Sequence, residues 1–189
     1  MKGYLASLLA LLLFVGGCAA ATGLPPVRDA AFDNHGIRAI ALQPIVFRDA
    51  GPNNYCERDI ENQVRFHLAR YLQAKGYEVL RVEGATRPHG APPDPLADGT
   101  PANILRLSPA EADAVLVVWV EHYRQFGLCD MVRQPYLEMG ATAALYSRAQ
   151  GAEIWRHQTY VADYTSVGNP VPYVTHQLAR QLLLTLPDR

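Results

Sequence analysis

Seven consecutive apolar residues, Ala114–Val120 (AVLVVWV), constrain this chain more than any other stretch. On a strand, neighbouring side chains point to opposite faces, so a run that never alternates needs apolar cover on both sides. It is far shorter than the ~20 residues that cross a bilayer as a helix. The chain must therefore build a sheet with other elements packed on it, and this segment belongs in the middle of that sheet. The stretch Ile37-Arg38-Ala39-Ile40-Ala41-Leu42-Gln43-Pro44 reads in the same way, as a second interior strand ended by Pro44.

Between them the period changes. Ile60, Val64, Leu68, Tyr71 and Leu72 recur at three and four residues, which predicts an amphipathic helix to about Lys75 with Gly76 just past its end. Asn53 or Asn54 is placed to cap it, and Glu57, Asp59 and Glu61 put negative charge in the first turn, as the helix dipole favours. Tyr77–Val82 is a strand, and strand, helix and strand make a βαβ-type unit. Residues 84–101, dense in proline and glycine, have the period of neither regular structure and are expected to form a long loop. A short helical turn is expected over Ala102–Leu107, followed by a capping-box-like Ser108-Pro109-Ala110-Glu111.

After Val120 the pattern alternates. Leu137, Met139, Ala141, Ala143 and Leu145 share one face of a half-buried strand; Tyr136, Glu138, Gly140, Thr142 and Tyr146 share the other. A turn at Ala149-Gln150-Gly151 leads to a strand from Glu153 to about Ala162, and a helix from about Pro172 to Leu186 turns Val174, Leu178 and Leu182 inward. The expected fold is α/β (α+β): a single mixed sheet of about five strands, in the order β-α-β-(short α)-β-β-β-α, with the helices packed on it.

The start of the chain has a different logic. Lys2, an apolar run from Leu5 to Val15 and small residues after it have the layout of an export signal. Val15-Gly16-Gly17-Cys18 resembles the lipobox of bacterial lipoproteins, with Val15 where Leu is commonest. The resemblance implies a signal peptide over 1–17, Cys18 as the acylated N-terminus, a lipidated tether over 18–35 and a periplasmic domain over 36–189. A thioether diacylglycerol with an N-acyl chain supplies more than the single chain that binds only marginally. Ala19 stands where an Asp would resemble an inner-membrane retention signal, which favours the outer membrane.

From Ile37 to Leu186, the element order with "AIALQPI" and "EADAVLVVWVEHY" resembles the small α/β domain of periplasmic lipoproteins, a group that includes the curli-secretion lipoprotein's soluble domain and the penicillin-binding-protein activators. The resemblance implies a non-enzymatic role in assembly, tethering or regulation at the envelope. A lipid-trafficking auxiliary lipoprotein of an ABC-type transport system is the alternative, and it would need an apolar cleft for an acyl chain. Two departures matter: the tether is too short to carry the domain across the wall, and no long membrane-spanning hairpins stand outside the core elements.

Chemistry is sparse. There is no phosphate loop, nucleophile elbow or HExxH, so neither catalysis nor a cofactor is implied. With 17 basic and 18 acidic residues there is no cationic excess for nucleic acid. His122 and His157 fall on strands separated by a third, too far apart for one zinc. His67 and His176 read as ordinary partly buried helix residues, and His35 and His89 lie in loops. Tyr123, Tyr136, Thr142, Tyr146 and Tyr160 are expected to share the less apolar side of the hairpin sheet, where Tyr anchors protein partners: another envelope protein or a second copy. Once Cys18 is acylated, Cys56 and Cys129 remain in an oxidising compartment. Both follow the C-terminal ends of strands expected to be parallel neighbours, and a disulfide between them is the expectation; two free thiols or a metal pair are the competing readings.

Overall fold

The two uniformly apolar segments pair with each other at the centre of one mixed, seven-stranded sheet in a computed structural model of the chain. The structure describes residues 26–30, 32–48, 59–82, 96, 99–128, 134–164 and 168–189. Its strands are β1 (Val27–Arg28), β2 (Ala39–Leu42), β3 (Val46–Phe47), β4 (Glu78–Arg81), β5 (Ala114–Phe126), β6 (Tyr136–Ser147) and β7 (Ala152–Asp163). Its helices are α1 (Asp59–Ala74), α2 (Pro101–Arg106) and α3 (Val171–Leu182), with a 3-10 turn at Phe32–His35. The sheet order is β1-β7-β6-β5-β2-β4, and β3 pairs with β5 beyond the end of β2.

β2 runs parallel to both β4 and β5, which is the βαβ relation that the sequence led us to expect. β5, β6 and β7 then form an antiparallel meander of long strands. The start of β2 is clipped to the start of β5 by Asp113, whose carboxylate accepts the backbone N–H groups of Arg38 and Ala39, each at 2.9 Å. Those two hydrogen bonds, Ala39's first, hold the Asp113 carboxyl below its ordinary range.

α1 and α3 lie side by side on one face of the sheet. Ile60, Val64, Leu68 and Leu72 of α1, with Val174, Leu178 and Leu182 of α3, are buried against Leu116, Val118 and Val120 of β5 and Leu137, Met139, Ala141, Ala143 and Leu145 of β6. Each Val, Leu, Ile or Met among them contributes about 1.5–3 kcal/mol by burial, against a few tenths for a favourable surface pair, so packing rather than local preference seats the helices. Gly76 ends α1 as expected, at φ +90°, a conformation that side-chain-bearing residues rarely adopt.

Among the described residues, the other face is covered at one end. Val115, Val117, Trp119, Ala144 and Tyr146 pack there against Leu96 and Ile104, and Trp119 Nε1–H donates to the Leu96 carbonyl at 2.9 Å. Leu96, from the segment read as a loop, is thus a core residue.

Several expectations change in detail. The sheet has seven strands, not about five, because β1 and β3 add two residues each. Within the stretch read as tether, Val27 and Arg28 pair with Arg156 and Trp155 of β7, and Phe32 is buried in the main core. The helix expected to run to Leu186 ends at Leu182 and continues as turns. Ser108 opens no helix; its hydroxyl donates back to the Ile104 carbonyl at 2.6 Å as α2 ends. Cys18, Cys56, Cys129 and His89 lie outside the described residues.

Candidate functional site

Beyond the second core cluster, the same sheet face is lined by the far ends of β5, β6 and β7. At its centre is Glu138 of β6, a carboxylate on a strand that buries mainly apolar groups, with a side chain only 8% exposed. The phenol of Tyr160 on β7 donates to one carboxylate oxygen, and the phenol of Tyr164 donates to the same oxygen at 2.6 Å. His122 Nε2 lies 3.6 Å from it, and Arg124 Nη1 lies 3.7 Å from the other oxygen.

Register explains the convergence. His122 and Tyr160 both pair with Gly140, one from each side, and Arg124 pairs with Glu138. A Cβ at Gly140 would stand 3.2 Å from His122 Cβ and 3.3 Å from Tyr160 Cδ2, so the missing side chain is what lets both rings lean over the strand. Burial alone would raise the Glu138 pKa; hydrogen bonds from Tyr160 and Tyr164, with the nearby His122, outweigh it and hold the carboxyl below its ordinary range. Tyr160 shifts upward through burial and its bond to Glu138, so it stays protonated at neutral pH.

Around this centre the rings form a continuous arc. His122 and Tyr160 have centroids 5.6 Å apart, Tyr136 and Tyr164 5.5 Å, and Phe126 stacks on Tyr136 at 5.8 Å. Phe126, Tyr160 and Tyr164 are about half exposed. Closer to the second core, Glu121 accepts hydrogen bonds from Thr142 Oγ1 at 3.1 Å and Gln158 Nε2 at 3.4 Å and pairs with Arg48 at 3.1 Å.

Of the five residues expected on this patch, Tyr136 and Tyr160 are on it. Thr142 is on the same face but buried under Glu121. Tyr146 is 1% exposed, packed on Trp119 and hydrogen-bonded to the Gly99 carbonyl and Glu153; it is a core residue. Tyr123 is on the opposite face, edge-on to Phe47 at 5.7 Å, because the β5–β6 register shifts between Val120 and His122. The reading missed Glu138, His122, Phe126 and Tyr164 as members. A carboxylate two residues from a strand glycine, between Leu137 and Met139, was the available signal.

His122 and His157 end up on opposite faces, since His157 pairs with Ala143 on the helix side. Among the described residues no group of three His, Cys, Asp or Glu side chains is placed to hold a metal ion, and no helix is long and apolar enough to cross a membrane. The arrangement presents a buried carboxylate already engaged by two phenols, with half-exposed aromatic rings around it. Its phenols are already fixed by Glu138, which reduces the ~0.5–1.5 kcal/mol that ordering each such side chain costs on association.

Among solved structures, the PelC dodecamer of Paraburkholderia phytofirmans superposes with a TM-score of 0.54 at 19% identity, over 88% of this chain and 99% of that one. The fold is similar to that of PelC. A variant of the same dodecamer gives 0.53 at 18% identity, over 88% and 98% of the two chains. A lipoprotein from Neisseria meningitidis gives 0.48 at 18% identity, over 78% and 99%. No protein-family model and no curated protein matches the sequence.

Proposed function

We propose that this chain is a lipid-anchored, non-enzymatic envelope protein of the outer membrane whose periplasmic α/β domain assembles with copies of itself. The observation that carries the reading is the likeness, over most of both chains, to a protein that forms a dodecamer. Two features support it. The ending of the signal segment, Val15-Gly16-Gly17-Cys18, supplies the anchor. The aromatic arc of Phe126, Tyr136, Tyr160 and Tyr164 around Glu138 supplies a pre-ordered contact surface of the composition found at protein interfaces. The resemblance read from the sequence to the curli-secretion lipoprotein domain and the penicillin-binding-protein activators is compatible with the same reading.

Full-length protein extracted from native membranes in mild detergent is the material for the test. Sedimentation or native mass measurement is expected to give one discrete multiple of the chain mass. A monomer at every concentration, with a different envelope protein retained, would move the assignment from self-assembly to hetero-assembly. A monomer retaining an acyl lipid would support the transport-auxiliary alternative instead.

A further inference from the structure

The outer surface of the helix pair carries a second cluster that the docking surface does not use. His67 on α1 and His176 on α3, which come from opposite halves of the sequence, have ring centroids 5.2 Å apart with planes at 77°. Tyr71, one turn beyond His67, places its hydroxyl 2.8 Å from His176 Nε2, and Phe66 lies edge-on to His67 at 5.4 Å. The inward positions of both helices are filled by aliphatic side chains, so core packing does not account for two imidazoles meeting at the seam.

We propose that His67 and His176 together bind a divalent transition-metal ion of the zinc, nickel or copper(II) kind, joining α1 to α3. Two imidazoles on one zinc, with Zn–N bonds of ~2.0–2.1 Å at a near-tetrahedral angle, bring their centroids to about 5–5.5 Å, which is the spacing found here. Imidazole nitrogen selects these borderline ions over calcium and magnesium, which take oxygen ligands. When the Tyr71 oxygen accepts the Nε2–H of His176, the Nδ1 lone pair is left for the metal; such an outer partner is what commonly fixes a ligating histidine.

Two protein ligands leave the remaining positions to water. Arg70, held over the Phe66 ring at 5.8 Å, opposes a dication. Both facts set the affinity below that of a closed four-ligand site.

Tag-free full-length protein in detergent is titrated with zinc chloride by calorimetry, with thermal unfolding followed in parallel. The expected result is one zinc per chain and a raised Tm, in the parent and in a His89→Gln control alike. His67→Gln and His176→Gln should each weaken binding by at least about tenfold, while their metal-free Tm and circular dichroism match the parent's. Arg70→Gln, which removes the opposing charge, should tighten it. Absence of saturable binding, or binding unchanged in both histidine variants, would overturn the site.

Discussion

Glu138 shows how one buried charge organises an exposed surface. Left unpaired at this depth, a carboxylate would cost several kcal/mol; two phenols and the flanking His122 and Arg124 make it tolerable, and in return it fixes where two tyrosine rings stand. Its native pKa lies below the unfolded one, so its contribution is present above the ordinary carboxylate pKa and is lost as pH falls through the native value. Glu138→Gln keeps the shape and removes the charge. We expect it to lower stability at pH 7 by about 1.5–3 kcal/mol, the scale of hydrogen bonds to a charged group. Urea midpoints at pH 7 and pH 4 should show the gap between variant and parent narrowing at the lower pH, where the unfolded-state carboxyl has begun to take up protons; a gap that stays constant would mean that the charge does not stabilise the native state.

At the scale of elements, what was legible in the sequence follows from what carries a period. The helix over Ile60–Leu72 and the central strand Ala114–Val120 were legible because burial on one stripe or on both faces imprints a repeat. β1 and β3, at two residues each, are too short to show one. The bulge between Val120 and His122 is illegible for another reason: one extra residue, Glu121, reverses which face every later side chain takes, and no glycine marks it. That single step moved Tyr123 off the expected patch and brought His122, Arg124 and Phe126 onto it. Tyr146 was misplaced because its cover, Leu96 and α2, comes from or follows a segment without regular pattern. β2 and β5 are parallel neighbours, the relation on which the pairing of Cys56 with Cys129 was reasoned. That bridge remains a proposal from the sequence: thiol labelling of the unfolded, unreduced protein is expected to find neither cysteine reactive, and labelling of both in periplasmic material would reject it. In the loop-entropy model, the bridge would stabilise by about 4 kcal/mol.

For the whole molecule, the proposed assembly and attachment would be linked through β1. Because Val27 is already paired to β7, only the stretch from Cys18 to Val27 is left between an acylated Cys18 and the folded sheet, a reach of about 30 Å at most at ~3.3–3.6 Å per residue. Cys18→Ser is expected to move the protein to the soluble fraction, with a changed mature mass; unchanged partition would remove the anchor from the proposal. The released form should also dissociate on dilution more readily than the lipidated one. On the proposed anchoring, a leash this short would confine every copy to a thin layer above the bilayer, so encounters would become effectively two-dimensional and the local concentration would rise without any new contact. Phe126, Tyr160 and Tyr164 can then form an association too weak to persist in dilute solution, and the two residues of β1 set how crowded that layer becomes.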